Sequence, residues 1–255
     1  MAGALEGRRI LVTGASSGIG EATAVACAQA GAVVAGLARR TLRLEALQAA
    51  HGIHPVVGDI GDTDAVPEMI GRAVGLLGGL DAVVNSAGLS RPGLVADADP
   101  ADWKAMFDIN VLGLLAVTQA AIPHLLRAGM GSSIINISSM SGRRVLAPTA
   151  GTYAGTKFAV HAISEGLRQE LQSKGVRVTT IAPGFVATAL FDGQDETGPG
   201  GQYRRMLRTV GMAPADVAAA VVHALSAPAS VTTVEVALAP TQQDDAGYSA
   251  AIEGD

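Results

Sequence analysis

The sequence predicts an α/β fold, a single doubly wound domain whose mostly parallel sheet is flanked by helices. Short apolar runs typical of buried strands alternate with helical patterns, without repeats, linkers or a break in composition. The chain has 255 residues, of which 49% are hydrophobic and 16% charged, enough to bury one sizeable core. Glycine and polar motifs follow several strands, and in such sheets ligands bind at the carboxyl ends of the strands.

A glycine-rich turn follows the first predicted strand, Arg9–Val12. The turn spans Gly14–Gly20 and leads into a small-residue helix over Glu21–Ala30. Glycines let backbone N–H groups approach a phosphate at a helix N-terminus. The spacing is G-x-x-x-G-x-G rather than G-x-G-x-x-G. The order strand, turn, helix favours phosphate binding over the alternative, a glycine-rich turn that binds nothing.

The second predicted strand, Ala32–Leu37, ends in Ala38, Arg39 and Arg40. Dinucleotide folds that bind NAD place an acidic residue here, against the 2′-hydroxyl of the ribose. Guanidinium groups match the geometry of phosphate, so this strand end favours a ligand with a 2′-phosphate. The alternative is a solvated arginine pair at the start of a helix over Leu42–Ala50.

Two more strands are predicted in the first half of the chain. Val56–Val57 leads to Asp59 and Ile60, and a helical pattern then covers Thr63–Leu77. Asp81–Val84 is the fourth strand, and it is followed by the polar and small residues Asn85-Ser86-Ala87-Gly88.

A long helix is predicted from Pro100 to Leu126. Asp99 is a suitable N-cap, and proline is favoured at the first helical position. Asn110 lies in this helix among apolar neighbours, and a buried amide needs hydrogen-bond partners. The side-chain amide of Asn110 either makes a hydrogen bond within the core or belongs to a functional site.

The chemistry is expected around the fifth strand, Ile134–Ile137, which ends near Ser139. A helical pattern starts at Tyr153, and Lys157 lies one turn later on the same helix face. An ammonium near a phenol favours the phenolate and lowers the phenol pKa from about 10. The phenol could then exchange a proton with a substrate near neutral pH, while Ser139 holds the substrate oxygen. The alternative is a chance pair on the surface of an amphipathic helix.

The last third of the chain is predicted to hold two strands and a lid. The sixth strand, Val176–Ile181, is broken at Pro183. Residues 188–210 are glycine-rich with weak periodicity, which indicates a mobile substrate lid or a plain surface loop. A helix over Pro214–Leu225 and a strand over Val231–Leu238 follow.

Composition and charge exclude several classes of function. The net charge of −5 argues against a nucleic-acid-binding surface. The most apolar stretch, Val111–Leu126, is predicted too short and too polar to span a bilayer. Cys27 is the only cysteine, which favours a reducing compartment. The strand-like run Arg9–Val12 begins too early to leave room for a signal peptide, so a cytoplasmic protein is expected. The tail, residues 241–255, is polar and expected to be poorly ordered.

In combination, order and spacing, these motifs resemble the short-chain dehydrogenase/reductase family over about Gly7–Pro240. The resemblance implies a Rossmann-type fold, a nicotinamide cofactor and hydride transfer. The matching motifs are Thr13–Gly20, Asn85-Ser86-Ala87-Gly88, Asn110, Ser139, Tyr153-x-x-x-Lys157 and Pro183-Gly184.

The same resemblance implies a catalytic tetrad of Asn110, Ser139, Tyr153 and Lys157. Tyr153 would be the general acid/base and Ser139 would orient the substrate oxygen. Lys157 would lower the tyrosine pKa and bind the nicotinamide ribose, and Asn110 would support a water-mediated proton relay. Ser139 is chosen over its neighbours because it directly follows the strand, as the family's serine does.

The residues that the resemblance implies for ligand binding lie mostly at strand ends, with Asp59 at the adenine edge and Thr188 near the nicotinamide amide. The cofactor set is Gly14, Ser16, Ser17, Gly18, Ile19, Gly20, Arg39, Arg40, Asp59, Ile60, Asn85, Ala87, Gly88, Tyr153, Lys157, Pro183, Gly184, Val186 and Thr188. The substrate set is Ser139, Met140, Leu146, Tyr153 and Phe185, and no metal site is expected.

Pocket walls are expected from Leu89–Leu94, Met140–Ala147, and Phe185 with Thr188–Arg208. Most of their side chains are apolar and suit a carbonyl compound with a hydrophobic body. Arg91, Arg143 and Arg144 either pair with a substrate carboxylate or are solvated loop charges.

The C-terminal run from Pro214 to Gln242 resembles an NADP-dependent subgroup that includes clavulanate dehydrogenase and 3-hydroxy acid dehydrogenases. We therefore expect NADPH-dependent reduction of an aldehyde or ketone to an alcohol. The alternatives are NADP-dependent oxidation of a hydroxy acid or sugar alcohol, and a non-catalytic NADP-binding sensor or scaffold. A homo-oligomer, tetramer or dimer, is expected through the helices at Pro100–Leu126 and Tyr153–Ser173.

Overall fold

A computed structural model describes residues 3–242, and this part of the chain forms one seven-stranded parallel sheet flanked by helices, as predicted. The strand order is β3-β2-β1-β4-β5-β6-β7. The strands are β1 Arg9–Thr13, β2 Val33–Ala38, β3 His54–Val57, β4 Ala82–Asn85, β5 Ser133–Ile137, β6 Arg177–Pro183 and β7 Glu235–Leu238. The helices are α1 Gly18–Gln29, α2 Thr41–His51, α3 Val66–Leu77, α4 Pro100–Phe107, α5 Leu114–Ala128, α6 Gly151–Leu171, α7 Pro199–Val210 and α8 Pro214–Ser226. The predicted polar tail lies outside the described residues from position 243 onward.

The sheet is doubly wound because the chain reverses direction across β1, which pairs with both β2 and β4. Every strand pair is parallel, so all carboxyl ends lie at one edge. Successive side chains of β1 enter opposite layers: Ile10 and Val12 pack with α1 and α8, whereas Leu11 packs with α3 and α5. The aliphatic composition therefore fills two cores, one on each face of the sheet.

The long helix predicted over Pro100–Leu126 is interrupted. Residues Asp108–Gly113 form a π-helical segment between α4 and α5, and Asn110 lies within it. π-helical insertions occur often at functional sites. Gly113 packs closely against the loop that follows β3. A Cβ at Gly113 would be 2.9 Å from the carbonyl oxygen of Ile60. The periodicity of the sequence did not indicate this wider turn.

The combined helical stretch Pro100–Ala128 is the one described segment long and apolar enough, by length and composition, to cross a membrane. In this fold 44% of its most apolar window is buried. Buried core helices pass the same test, and α5 contributes Val117, Ala121 and Leu125 to the core beside α3. The prediction of a stretch too short and too polar to span a bilayer was made for Val111–Leu126 and does not hold for the whole 29-residue helical stretch, because the helix begins earlier, at Pro100.

The region predicted as a weakly periodic lid contains regular structure. A short 3₁₀ turn, Ala189–Phe191, is followed by α7, whose first residue is Pro199. Phe191 and Tyr203 stack with ring centroids 5.3 Å apart. The side-chain amide of Gln194 donates to the carbonyl oxygen of Ser90 at 2.9 Å, which joins this segment to the loop after β4. Its role as a lid stays a prediction.

Candidate active site

The turn after β1 and the loop after β4 are locked together at the carboxyl edge. Gly14 has a φ of +69°, and a Cβ there would lie 2.8 Å from the Cα of Ala87, so only glycine fits this left-handed position. The hydroxyl oxygen of Thr13 accepts hydrogen bonds from the backbone N–H groups of Ser86 and Ala87, both at 3.1 Å. The glycine turn therefore rests directly on the loop after β4.

Helix α1 begins at Gly18, with its N-terminus at the edge where phosphate binding is expected. Gly18 has a φ of +57°, and a Cβ there would lie 3.1 Å from Cγ2 of Thr188. The first residue of the lid segment therefore packs against the start of α1, although 170 residues separate the two (188 − 18).

The two arginines after β2 have different partners. Arg40 donates from Nε to Oγ of Ser16 and from Nη2 to its carbonyl oxygen, both at 3.0 Å. Arg39 lies 3.5 Å from a carboxylate oxygen of Asp59, and 74% of its side chain is exposed. Asp59 also accepts from the N–H of Gly61 at 2.9 Å. Two guanidinium groups and a serine hydroxyl thus border the phosphate turn.

These groups fit a dinucleotide with a 2′-phosphate. The glycine cradle has no room for added Cβ atoms at Gly14, and the N-terminus of α1 supplies N–H donors. Ser16, Arg39 and Arg40 supply the side-chain donors that phosphate oxygens need. No acidic residue stands at the end of β2 to bond a 2′-hydroxyl.

Two residues of the expected cofactor set have side chains directed into the fold. Ile60 is buried in the core layer of α3 and α5. The amide of Asn85 donates to Thr118 at 3.0 Å and to Asn136 at 2.9 Å, and Asn136 donates to Ser164 at 2.9 Å. This buried network ties β4 and β5 to α5 and α6, so Asn85 braces the sheet beneath the site.

Ser139, Tyr153 and Lys157 come together at the end of β5. Nζ of Lys157 donates to the carbonyl oxygen of Ile137 at 3.0 Å and lies 5.7 Å from the centroid of the Tyr153 ring. The Tyr153 phenol is hydrogen-bonded to Ser139, whose Oγ also accepts from the N–H of Ser141 at 3.0 Å. The hydroxyl of Ser138 points away, toward the carbonyl oxygen of Lys157.

Burial dominates the acidity of both titratable groups, which corrects the expected direction for the tyrosine. Desolvation raises the pKa of Tyr153 to about 12, although the hydrogen bond to Ser139 opposes the rise. Desolvation also lowers the pKa of Lys157 to about 8. The charge of Lys157 does not overcome the cost of burying a phenolate, so the phenol stays protonated at neutral pH.

Asn110 braces the loop after β4 against α6. Its Oδ1 accepts from the N–H of Leu89 at 2.7 Å, while Nδ2 donates to the carbonyl oxygen of Leu89 at 2.8 Å and to Thr156 at 3.0 Å. A Cβ at Gly88 would lie 3.5 Å from its Oδ1 and 3.8 Å from Nζ of Lys157. Asn110 and Lys157 are therefore neighbours across Gly88, and the proton relay stays a prediction.

A cavity of about 100 Å³ adjoins the Tyr153 phenol and Ser139. Its walls combine the strand ends, the loop after β5 and the lid segment. The lining residues are Ile19, Ser90, Pro92, Ser138, Ser139, Met140, Ser141, Leu146, Ala150, Tyr153, Pro183, Gly184, Phe185, Val186, Thr188, Leu190, Phe191, Tyr203 and Leu207. None of these residues carries a charged side chain, so the cavity suits an uncharged ligand.

The three arginines considered for a substrate carboxylate are not among the residues that line this cavity. Nε of Arg91 lies 3.7 Å from Asp102, and Nε of Arg143 lies 3.4 Å from Glu235. Arg144 is exposed on the same loop as Arg143. Two of the expected wall residues, Leu94 and Val145, are also exposed rather than part of the cavity.

Sequence reasoning did not single out Tyr203, which lines the cavity from α7. Its hydroxyl lies 3.3 Å from that of Thr149, and its ring packs with Phe191 and Leu207. Tyr203 and Leu207 are four residues apart, a spacing that is typical of one face of a helix. The glycines of this region made the helix hard to recognise from the sequence. Ser138 and Ala150 were also missed, because the cavity is formed by loops without periodicity.

Comparison with known proteins agrees with this geometry. Residues 8–198 match the short chain dehydrogenase family model. An uncharacterized oxidoreductase of Staphylococcus aureus (strain USA300) is 38% identical over 233 residues, covering 90% of this chain and 96% of the relative.

Two solved structures have the same fold over nearly their whole length. A short chain dehydrogenase from Burkholderia cenocepacia J2315 in complex with NADP has a TM-score of 0.81 and 30% identity, covering 92% of this chain and 98% of that one. The closed form of serine dehydrogenase complexed with NADP+ also has a TM-score of 0.81, with 31% identity, covering 89% and 93%. The family match, the fold and the Ser139, Tyr153 and Lys157 geometry agree, and the chain belongs to the short-chain dehydrogenase/reductase family of oxidoreductases.

Proposed function

We propose that this protein reduces an aldehyde or ketone to an alcohol with NADPH. The observation that carries the proposal is the half-buried Tyr153 phenol, hydrogen-bonded to Ser139 and held near the ammonium of Lys157, at the wall of a largely apolar cavity. Bound NADPH would supply the hydride. The protein must then position the carbonyl oxygen and give it a proton.

In this mechanism Tyr153 is the general acid. Burial keeps its phenol protonated, so a proton is available when a substrate carbonyl oxygen gains electron density. Ser139 donates a second hydrogen bond to that oxygen once a substrate displaces its contact with the phenol. The Lys157 cation, anchored on the carbonyl oxygen of Ile137, offsets the negative charge that the phenolate carries after proton transfer.

Preference for NADPH is supported by the residues after β2. Arg39 is mostly exposed and only loosely paired with Asp59, so its guanidinium group is available to a phosphate. Arg40 donates to the hydroxyl and to the carbonyl oxygen of Ser16, so the Arg40 guanidinium and the Ser16 hydroxyl both lie at the phosphate turn. The Burkholderia structure, which is 30% identical, contains NADP. The resemblance of the C-terminal run to NADP-dependent reductases points the same way.

An uncharged substrate is supported by the chemistry of the cavity. Its lining side chains are apolar or hydroxylic, and Arg91 and Arg143 have acidic partners elsewhere. A substrate carboxylate would therefore be desolvated without a cationic partner, at a cost of several kcal/mol. A neutral carbonyl compound with a hydrophobic body fits best.

The alternatives have weaker support. Oxidation of a hydroxy acid or sugar alcohol would use the same residues in reverse, and one structural neighbour is named a serine dehydrogenase. The uncharged lining disfavours an acid. A non-catalytic NADP-binding sensor or scaffold would have no need of a half-buried phenol beside a buried ammonium, because both side chains lose hydration there.

We further propose a cytoplasmic homo-oligomer, tetramer or dimer, without a nucleic-acid or membrane partner. Phe107 on α4, Leu112 in the π-helical segment and Leu115 on α5 are exposed, and so is Phe158 on α6. Exposed apolar side chains on adjacent helices are typical of contact surfaces between subunits. Cys27 is a buried free thiol, consistent with a reducing compartment.

Replacing Tyr153 by Phe tests the reaction. We expect the purified wild-type protein to oxidise NADPH with at least one member of a panel of neutral aldehydes and ketones. Tyr153→Phe should bind NADPH as wild type does and lower kcat by about 10²–10⁴-fold, because the general acid is lost. Tyr203→Phe, which removes a hydroxyl from the same cavity, is the matched control. A Tyr153→Phe enzyme that keeps most of its activity would contradict the mechanism.

Cofactor choice is tested at the end of β2. We expect kcat/KM to be at least about tenfold higher with NADPH than with NADH, which corresponds to about 1.4 kcal/mol. Ala38→Asp combined with Arg39→Ala should reverse this preference, because it adds repulsion and removes an attraction. Arg43→Ala, on the exposed face of α2, serves as the control. Equal use of both cofactors by wild type would show that the arginines do not select NADPH.

The pH dependence should follow Lys157 rather than Tyr153. The ammonium is charged below its lowered pKa of about 8, whereas the phenol remains protonated up to about 12. In the direction of reduction, kcat/KM for NADPH should therefore be flat near neutral pH and fall above about pH 8. Lys157→Met should be slower and lack this fall. A wild-type profile that stays flat to pH 10 would contradict the assignment.

A further inference from the structure

A second cluster of polar side chains lies beside the loop that carries Ser139. His161 is one helical turn after Lys157 on α6. Its Nδ1 lies 2.9 Å from Oγ of Ser138 and 3.0 Å from the carbonyl oxygen of Lys157. Its Nε2 lies 3.5 Å from a carboxylate oxygen of Glu235 on β7, close enough for an ion pair when the ring is protonated.

The cluster continues from the buried strand end to the surface. The same Oε1 of Glu235 that faces His161 lies 3.4 Å from Nε of Arg143, in the loop after β5. Side-chain exposure rises from 19% at His161 to 34% at Glu235 and 49% at Arg143. Three contacts therefore join β5, α6, β7 and the loop that carries Ser139.

The backbone of this loop lies directly on the cluster. A Cβ at Gly142 would be 2.7 Å from the carbonyl oxygen of Lys157 and 2.7 Å from Cε1 of His161, so the contact needs glycine. Gly142 is also tied to Ser139, because its N–H donates to the carbonyl oxygen of Ser139 at 2.9 Å. His161 is thus packed between the helix of Lys157 and the loop of Ser139.

Ser138, His161 and Glu235 have the residue types of a hydrolytic triad, but the contacts indicate another role. The hydroxyl of Ser138 donates to the carbonyl oxygen of Lys157 at 3.1 Å, and only 4% of the residue is exposed. An attacking serine needs its oxygen free to face a substrate. The hydroxyl here is instead used to join β5 to α6.

We propose that His161, Glu235 and Arg143 are positioning residues that hold the Ser139 loop against the first turns of α6. The clamp, as we call these three side chains, keeps the Ser139 hydroxyl within reach of the Tyr153 phenol. This inference rests on the proposed carbonyl reduction. Its expected consequence is on turnover, because a displacement of about 1 Å of a positioned catalytic group can cost about 10²-fold in rate.

The clamp contacts the backbone carbonyl oxygen of Lys157 rather than the ammonium expected at the nicotinamide ribose, so the NADPH dissociation constant is expected to depend little on it. The groups expected to bind the phosphates lie on α1 and after β2, and within residues 3–242 the hydrogen bonds and ion pairs of the clamp do not reach Ser16, Arg39 or Arg40. Loss of the clamp should therefore lower kcat and leave the NADPH dissociation constant unchanged. A purely structural role would instead lower stability and cofactor binding together.

The experiment compares two substitutions of His161 using the neutral carbonyl substrate found for wild type. His161→Leu removes both nitrogen atoms and should lower kcat at least about tenfold, with the NADPH dissociation constant within about twofold of wild type. His161→Asn keeps a polar atom near the position of Nδ1 and should recover kcat to within about threefold of wild type.

The carboxylate is tested with a matched pair. Glu235→Gln removes the charge that joins His161 to Arg143 and should lower kcat by about threefold or more. Glu165→Gln removes a comparable exposed carboxylate on α6, paired with Arg168 at 2.7 Å, and should leave kcat unchanged. Melting temperatures of all variants separate positioning from global stability. If His161→Leu does not fold, His161→Asn and the Glu235→Gln comparison decide.

Three outcomes would overturn the clamp. One is a folded His161→Leu protein with kcat within twofold of wild type. Another is a loss of kcat that is matched by a loss of NADPH binding and is not recovered in His161→Asn. The third is an equal effect of Glu235→Gln and Glu165→Gln. A wild-type protein that binds NADPH and reduces no carbonyl compound would contradict the proposed function itself.

Discussion

The hydrogen bond from Nζ of Lys157 to the carbonyl oxygen of Ile137 is the contact on which the site depends. It joins the first turns of α6 to the last residue of β5. Ser139 extends from that strand and Tyr153 from that helix, so this 3.0 Å contact sets their separation. A buried ammonium is costly unless hydrogen-bonded, and the carbonyl at the strand end supplies a partner. The parallel sheet brings this carbonyl to the edge where the glycine turn lies.

Burial determines which protonation state of Tyr153 is stable at neutral pH. In water, a nearby ammonium would make the phenol a stronger acid; in this interior, desolvation outweighs that attraction and raises the pKa of Tyr153 to about 12. The phenol is therefore protonated at neutral pH, the state that the proposed reduction requires. The uncharged cavity beside the phenol has a similar effect. Its largely apolar walls exclude water, which strengthens the few polar contacts that remain.

Much of the fold and site follows from local sequence features. Apolar runs predicted all seven strands to within a few residues, and the spacing of Tyr153 and Lys157 placed both on one helix face. Contacts between distant residues were not predictable in this way. The inward amide of Asn85 depends on Asn136 and Ser164, and His161 acquires its role only when β7 brings Glu235 to α6. The π-helical turn at Asn110 and helix α7 also depend on packing rather than periodicity.

We propose that this edge of the sheet carries out hydride transfer from NADPH to a carbonyl carbon. The most direct measurement uses NADPH with deuterium in place of both hydrogens at C4 of the nicotinamide ring, with a carbonyl substrate in unlabelled water. Our account predicts an alcohol with one deuterium on the carbinol carbon, found by mass spectrometry, with the hydroxyl proton taken from solvent through Tyr153. An alcohol without deuterium, or NADPH consumption without reduction of the carbonyl compound, would contradict it.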